Sequence, residues 1–391
     1  MHVLHALFLA GLIGTGLIAC QMSAPSINHE SLFSEDQDVL ADDSNIIVLV
    51  ASQPAANMLI INATRRGYQL NEEIKLSGLD LILLDFERPE GVSGPLAISD
   101  MQSMERSATA GVDHLFYLQE QGSEARVPAN PRVYADDLLD WPSNGCAANL
   151  SVGIIDGDVE TTSTRLAGIE IVKMDFSGGS PAATDHGTAI ADLLVGPGKL
   201  RNTKLYAATV VSEDMPQTGA GVRELILALD WMQASDVKLV NISLAGPYNA
   251  LLDRAIRRAT RGGMIIVAAV GNDGPEAEPR YPAAFGDVIA VTAVDRSLEV
   301  YSRAVRGEHI DFAAPGVDVF VSSVDQGKYL SGTSVAAPFI TALIASNPVS
   351  SQRDRVGDIR KRISDSAIDI GPEGRDPIFG TGLPKRTWNC E

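Results

Sequence analysis

The feature of this sequence that most restricts its fold is a series of short strands that are apolar at nearly every position. The predicted strands cover residues 151–156, 204–210, 238–244, 264–270 and 288–294. They alternate with predicted helices near residues 187–195, 220–235, 249–261, 334–346 and 353–366. A strand without a polar face is buried on both sides, which is typical of a parallel sheet between two layers of helices. Residues 146–391 are therefore predicted to form an α/β domain around a doubly wound parallel sheet.

A second, smaller domain is predicted before the parallel sheet. Residues 46–118 contain strands and helices in the order β-α-β-β-α-β, with strands at 46–50, 68–76, 79–86 and 114–118 and helices at 54–66 and 98–110. This order is that of a small ferredoxin-like α+β domain. Residues 119–132 are polar and aperiodic and contain two prolines, so the segment 119–145 is predicted to be a linker.

The N-terminus has the pattern of an export signal. Residues 3–19 form an uncharged, mostly apolar run that is slightly shorter than the roughly 20 residues needed to span a bilayer. The run ends in Leu17-Ile18-Ala19-Cys20, which resembles the lipobox of bacterial lipoproteins. The resemblance implies a signal over residues 1–20, acylation of Cys20 and attachment to a membrane. The alternative is ordinary signal cleavage with Cys20 left as a spare thiol.

The location that this signal implies is the bacterial cell envelope. Gln21 directly follows Cys20, as in lipoproteins that Gram-negative cells send to the outer membrane. The expected location is therefore the periplasm or the outer membrane. Residues 21–45 are polar and acidic and are predicted to be a flexible tether.

The charge of the chain argues against a nucleic-acid partner. The formal net charge is −19, whereas phosphate binding needs a basic face. The charge is also uneven, because residues 21–145 hold 20 acidic and 7 basic side chains, or −13, and residues 146–391 hold 30 and 24, or −6. The sequence contains no C-x-x-C pair, no H-E-x-x-H and no glycine-rich phosphate loop, so neither a metal nor a cofactor is predicted.

Three reactive side chains stand at the ends of predicted elements. Asp156 ends a buried strand, while His186 and Ser334 each stand where a helix begins. The carboxyl ends of parallel strands share one edge of a sheet, so Asp156 and His186 are expected to converge there. Taken singly, each has a structural explanation, Asp156 as part of a turn and the other two as helix caps.

Together, the three residues resemble the triad of the subtilisin-like serine proteases, the subtilases. The order Asp, His, Ser is the order in that family, and the segments VGIID at 152–156, HGT at 186–188 and GTSVAAP at 332–338 match it. The resemblance spans about residues 145–347. It implies a subtilisin-like fold and a serine endopeptidase that forms an acyl-enzyme on Ser334, with His186 as the base and Asp156 as the group that orients it.

Two further segments extend the resemblance. In AAVGNDG at 268–274, Asn272 matches the residue that supplies the oxyanion hole, together with the backbone N–H of Ser334. The resemblance implies a substrate-binding set consisting of Ser243, Leu244, Ala245, Gly246, Ala269, Val270 and Gly271. Ala245 and Val270 are bulkier than the family's usual residues, which predicts a narrow first specificity pocket for small or medium side chains. Asp273 instead favours a basic side chain, and the sequence leaves these alternatives open.

The small N-terminal domain then acquires an expected role. Subtilases are commonly preceded by a ferredoxin-like propeptide, so residues 46–118 are interpreted as an intramolecular inhibitor that is cut away in the linker, for example after Gln119. A free-standing binding domain is the alternative. Cys146 and Cys390 are expected to form a disulfide, because an exported protein lies where such bonds persist. Two unpaired buried thiols are the alternative.

Some residues depart from the family pattern and keep a second function open. Gly157 stands where a supporting hydroxyl is usual, and the charge of the following Asp158 is expected to favour a protonated His186 that cannot act as a base. Asp192 places a carboxylate where backbone packing is tight. The alternative is therefore a weak or inactive subtilase-fold protein that serves as a binding or scaffold module of the envelope. The short segment after His186 lacks the family's calcium loop, so no calcium is expected there.

An α/β-hydrolase lipase or esterase was a third possibility, since the residues around Ser334 resemble a nucleophile elbow. That fold needs its catalytic His after the Ser. No His follows residue 334, so the sequence excludes it.

Overall fold

The computed structural model describes residues 40–119, 121–122, 133–215, 218–322, 327–348 and 354–390. The predicted signal with Cys20, and the tether up to residue 39, lie outside the described residues. Among the residues described, no helix has both the length and the apolar character needed to cross a membrane.

The N-terminal part folds as the predicted ferredoxin-like domain. Its elements are β1 (Leu40–Val50), α1 (Gln53–Arg65), β2 (Gln69–Leu76), β3 (Leu81–Glu87), α2 (Gly94–Met104) and β4 (Thr109–Leu118). The strands form an antiparallel sheet in the order β4-β1-β3-β2, and α1 and α2 bury their apolar sides against Val48, Leu84 and their neighbours.

The bounds of three elements, β1, α2 and β4, differ clearly from the prediction. β1 begins at Leu40 rather than at residue 46, because the polar residues at its start still pair with β4. α2 covers Gly94–Met104 rather than 98–110, because Pro95 lies in its first turn, where a missing N–H needs no partner. The residues after α2 then extend β4.

The C-terminal part contains the remaining elements, most of them in one large sheet. Its strands are β5 (Gln121–Gly122), β6 (Cys146–Ala147), β7 (Val152–Asp156), β8 (Ile171–Asp175), β9 (Leu200–Arg201), β10 (Leu205–Thr209), β11 (Ala220–Gly221), β12 (Leu239–Ile242), β13 (Leu244–Ala245), β14 (Ile265–Ala269), β15 (Ile289–Val294), β16 (Phe312–Pro315), β17 (Val319–Ser322), β18 (Gly327–Ser331), β19 (Ala367–Ile368) and β20 (Leu383–Pro384). Its helices are α3 (Val133–Leu138), α4 (Thr184–Val195), α5 (Val222–Ala234), α6 (Ala250–Arg261), α7 (Thr333–Ser346) and α8 (Val356–Ser364).

Seven of these strands form the predicted parallel sheet. Their order is β16-β15-β14-β12-β7-β10-β8, and every neighbouring pair is parallel. Ile154 packs into the core beneath α4 and α7, while the next residue, Ile155, packs into the opposite core beneath α5 and α6. Both faces of the sheet are thus covered by helices, so the predicted fold class is confirmed. The strands that follow β7 in the sequence are added to the sheet on both sides of it. Such a switch point is where α/β proteins bind ligands.

The two parts also share a sheet. Beyond its pairing with β1, β4 forms antiparallel pairs with β11 and with β13 of the C-terminal part. In the second pairing Tyr117 lies opposite Ala245 and Leu118 lies opposite Leu244. The end of the small domain is therefore held as an additional strand on the large one.

The last residues of the chain return to the start of the C-terminal part. Cys146 and Cys390 form a disulfide, which confirms the expected pairing over the alternative of two free thiols. The backbone N–H of Arg386 donates to the Leu139 carbonyl, and Lys385 forms an ion pair with Asp140 at 3.1 Å. The terminal segment therefore fastens the beginning and the end of this part together.

Candidate active site

Two of the three residues singled out in the sequence, Asp156 and His186, meet at the carboxyl end of β7, and the third, Ser334, lies at the start of a helix. Asp156 is the last residue of β7, His186 lies in the first turn of α4, and Ser334 lies in the first turn of α7. Their exposed fractions are 0%, 2% and 0%. The Nδ1 atom of His186 lies 2.5 Å from Oδ1 of Asp156, and the same oxygen accepts a hydrogen bond from the Gly157 N–H at 2.6 Å.

A glycine makes this approach of helix to strand possible. A Cβ atom on Gly187 would lie 2.2 Å from the carbonyl oxygen of Asp158 and 2.5 Å from that of Gly157. No side chain fits in so small a gap, so the residue after His186 must be a glycine. The HGT segment is therefore explained by the close packing that brings the imidazole to Asp156.

Asn272 is held with its amide in one orientation. Its Oδ1 atom accepts hydrogen bonds from the backbone N–H of Thr333 at 3.1 Å and from the Thr333 hydroxyl at 3.0 Å. The Thr333 hydroxyl in turn accepts from the Gly271 N–H at 3.2 Å. Because a backbone donor faces Oδ1, the Nδ2 group must point the other way. It is buried and has no hydrogen-bond partner among the described residues.

The cleft beside Ser334 holds the residue that follows β4. The carbonyl oxygen of Gln119 accepts hydrogen bonds from the Ser334 backbone N–H at 3.1 Å and from the Ser334 hydroxyl. The Gln119 N–H donates to the Ser243 carbonyl at 3.2 Å. Residues 117–119 are thus bound as an extended peptide whose last carbonyl group lies at the Ser334 hydroxyl.

The Gln119 side chain is enclosed at the same place. Its exposed fraction is 5%, its Oε1 atom accepts a hydrogen bond from the Asn272 N–H at 2.7 Å, and its Nε2 group donates to the Tyr117 carbonyl at 2.9 Å. Both ends of the amide are therefore satisfied, one of them by the C-terminal part and the other by the bound strand itself.

The predicted substrate-binding residues fall into two groups. Ser243, Leu244 and Ala245 pair with the bound strand. Ala269 and Val270 are fully buried at the end of β14 and lead through Gly271 to Asn272.

Gly246 faces a different residue of the bound strand. A Cβ atom on Gly246 would lie 2.6 Å from the Phe116 ring, three residues before Gln119. Phe116 itself is fully buried. Gly246 therefore makes room for the fourth side chain of the bound peptide, counted back from the carbonyl at Ser334.

The departures from the family pattern are each accounted for by a partner. Asp158 forms an ion pair with Lys173 at 2.7 Å and accepts from the Thr209 hydroxyl at 3.2 Å. Asp192 forms an ion pair with Arg165 at 2.7 Å. Sequence reasoning missed both cations, since Lys173 and Arg165 lie outside every recognisable motif.

The third carboxylate, Asp273, is paired in the same way. It forms an ion pair with Arg280 at 2.8 Å. Asp273 therefore meets a cation of its own chain, which weakens the expectation that it favours a basic side chain in the substrate.

A second cluster of charge lies where β4 meets α5. The carboxyl groups of Asp113, from β4, and Glu224, from α5, are both buried beside Gly221. Burial first, and the Glu224 charge second, raise the pKa of Asp113 to about 8, and burial also raises the pKa of Glu224. Arg223 binds both Glu224 and Glu72, which lies on β2.

No group of three or more metal-binding side chains occurs within the ranges that the structure describes. The groups that the site presents are a hydroxyl, an imidazole, a carboxylate and an amide.

Comparison with known proteins identifies relatives of the C-terminal part. Residues 147–382 match the model of the subtilase family. The chain is 32% identical over 274 residues to subtilisin DY of Bacillus licheniformis, a match that covers 65% of this chain and 94% of that protein. It is 27% identical over 256 residues to the minor extracellular protease Epr of Bacillus subtilis, a match that covers 62% of this chain and 39% of Epr.

A solved structure resembles a larger share of the chain. Fervidolysin from Fervidobacterium pennivorans, described as a keratinolytic enzyme related to subtilisin, superposes with a TM-score of 0.71 at 18% identity. The match covers 90% of this chain and 61% of fervidolysin. At that identity the likeness concerns the fold.

Proposed function

The chain belongs to the subtilase family, and from this premise we propose that it is a serine endopeptidase with Asp156, His186 and Ser334 as its catalytic triad. The hydroxyl of Ser334 attacks the carbonyl carbon of a peptide bond while Nε2 of His186 takes its proton. Asp156 keeps the proton of the imidazole on Nδ1 and stabilises the cation that forms, as the 2.5 Å contact between them supports. The protonated imidazole then gives its proton to the leaving amine, and water hydrolyses the acyl-enzyme in the same way.

The negative charge of the tetrahedral intermediate is stabilised by two donors. One is the Ser334 backbone N–H in the first turn of α7, where the helix dipole also favours an anion. The other is the Nδ2 group of Asn272. Thr333 binds Oδ1 of the same amide, so the buried Nδ2 group points the opposite way. Both donors are fixed before the reaction, so no reorganisation is needed when charge develops.

The first substrate is the chain's own N-terminal domain, which acts as a propeptide and inhibitor. The observation that carries this proposal is the hydrogen bond between the Gln119 carbonyl and the Ser334 N–H. A peptide bound in this way has its carbonyl carbon next to the nucleophile. Cleavage after Gln119 releases the amine of residue 120 and leaves the domain bound through β4.

The enzyme acts outside the cytoplasm, and its precursor is anchored in the cell envelope until the cut N-terminal domain dissociates. The lipobox-like segment ending at Cys20 supports export as a lipoprotein to the periplasm or outer membrane. The disulfide between Cys146 and Cys390 supports an oxidising compartment, and the relative Epr is named an extracellular protease. Proteins or peptides of that compartment are then the substrates.

The alternative of an inactive binding or scaffold protein has lost its motivating observation. It was based on the unusual carboxylates of Asp158 and Asp192, and both are neutralised by a paired cation. Neither carboxylate therefore requires an inactive site.

The experiment that tests the proposed function is labelling with a serine-directed fluorophosphonate, combined with mass analysis of the N-terminal domain. We expect the wild-type protein to be labelled and cleaved, and Ser334→Ala to lose both. Ser346→Ala is the matched control, because Ser346 lies at the other end of the same helix and is equally buried. Cleavage that continues unchanged in Ser334→Ala would refute processing by this site.

A further inference from the structure

We propose that this enzyme selects glutamine as the residue before the cleaved bond. The proposal rests on the proposed peptidase function and adds to it a substrate preference. It goes beyond the prediction of a narrow pocket, because it assigns the pocket a particular chemical group, an uncharged amide, rather than a size.

The first support is the way in which the C-terminal part binds the Gln119 side chain. The Asn272 N–H donates to Oε1 over 2.7 Å, and the side chain is almost completely buried. This donor belongs to the residue whose amide forms the oxyanion hole, so the contact places the side chain and the reacting carbonyl against the same rigid segment. Seating of glutamine therefore aligns the carbonyl group with Ser334.

The second support is the other end of the same amide. Nε2 of Gln119 donates to the Tyr117 carbonyl, which belongs to the bound peptide. A peptide of any sequence presents that carbonyl group, so every substrate with glutamine at this position can make the bond. The pocket thus meets the amide with one donor from the enzyme and one acceptor from the substrate backbone.

Other side chains fit this arrangement less well. Methionine has the length of glutamine but leaves the Asn272 N–H without an acceptor in an enclosed site. Glutamate restores that contact, yet its second oxygen faces the Tyr117 carbonyl, and two acceptors repel each other. Lysine brings a charge that needs a carboxylate, and the nearby Asp273 is already paired with Arg280.

The cations around the pocket have partners as well. Arg280 binds Asp273, and Nε of Arg303 donates to the Asn272 carbonyl at 3.2 Å. The hydrogen bond that the C-terminal part gives to the Gln119 side chain therefore comes from the backbone N–H of Asn272, which carries no net charge.

A peptide panel on the wild-type mature enzyme tests the proposal without any change to the protein. The four fluorogenic peptides carry Phe-Tyr-Leu followed by Gln, Met, Glu or Lys, so that the first three residues reproduce 116–118. We expect kcat/KM for the Gln peptide to exceed that for the Met peptide about tenfold, and that for the Glu and Lys peptides by more. Equal or faster cleavage of any of the other three would overturn the proposal.

Self-cleavage of the full chain gives a second readout. Gln119→Met and Gln119→Glu should slow release of the N-terminal domain about tenfold or more, measured by intact mass over time. Gln102→Met is the matched control, because Gln102 is exposed on α2, and it should be cleaved at the wild-type rate. If the wild type cleaves none of the peptides and not itself, the peptidase function fails; if it cleaves all of them alike, the selectivity alone fails.

Discussion

Asp113 and Glu224 bring two buried carboxyl groups together where the N-terminal domain meets the C-terminal one. The backbone N–H of Arg223 donates to Oδ1 of Asp113 at 3.2 Å, and both carboxyl groups border Gly221. Arg223 and Glu72 are the other charged groups that face the pair. Since burial and mutual repulsion both disfavour two negative charges, the contact retains a proton that a free aspartate would have lost.

This contact should make the affinity of the cut N-terminal domain for the C-terminal part depend on pH. The pKa of Asp113 is about 8 in the complex, against about 4 for an exposed aspartate, so the complex takes up a proton when it forms. Affinity is therefore highest below pH 4, falls as the pH rises toward 8 and is level above it. For one full proton the decline approaches about tenfold per pH unit.

Release of the cleaved domain from the processed complex is the measurement for this prediction. Its rate, followed by the appearance of peptidase activity after dilution at pH 5 to 9, should rise with pH. In Asp113→Asn, which keeps an oxygen acceptor for Arg223, the rise should be smaller. The same dependence in both proteins would show that the carboxyl pair has no part in it.

The orientation of Asn272 should matter for the chemical step. Replacing Asn272 by Ala should lower kcat by about 10²- to 10³-fold with little change in KM, the range known for loss of such a donor in subtilisin. Thr333→Val, which removes the hydroxyl that fixes the amide, should lower kcat by about tenfold, because the backbone N–H contact remains. Steady-state kinetics of both variants check this, and Thr333→Ser should restore the activity. A loss confined to KM would contradict it.

The ion pair of Lys173 with Asp158 should protect the basicity of His186. In Lys173→Met, Asp158 loses its cation, and its negative charge then favours the protonated imidazole. The acid limb of the plot of kcat/KM against pH should move to higher pH, and the shift should be small because both side chains are partly exposed. The double variant Lys173→Met/Asp158→Asn should return the limb to its original position, and a shift that persists there would have another cause.

The disulfide should contribute to stability mainly by restricting the unfolded chain. Cys146 and Cys390 are separated by 244 residues, and closing such a loop is worth about 2–5 kcal/mol in free energy of unfolding. Denaturant unfolding in the Ser334→Ala background, where self-digestion is absent, should show this loss when both cysteines are changed to Ala. Addition of a reductant to the protein with both cysteines should give the same loss, whereas it should leave the double variant unaffected.

The sequence predicts most of the fold because the buried strands are apolar throughout. It misses β8, whose residues Ile171–Asp175 are mixed and partly exposed at the edge of the sheet. It also places α2 too late. An edge strand needs no continuous apolar pattern, because it pairs with a neighbour along one edge only and its side chains are partly exposed to solvent.

The candidate site divides in a similar way. Asp156, His186 and Ser334 stand in recognisable sequence motifs, and close packing around Gly187 restricts one of these, the HGT segment. Lys173 and Gln119 stand in no motif. Their contacts join residues far apart in the chain, and only the folded chain reveals them.

The pairing of β4 with both domains affects when the cut enzyme becomes active. Cutting the chain after Gln119 removes one covalent bond but none of the ladder that holds β4 between β11 and β13. The first turnover would therefore leave an enzyme blocked by its own product. The enzyme would become active only when that strand dissociates. The delay between synthesis and activity would therefore be set by how fast β4 leaves β11 and β13, and not by the catalytic groups.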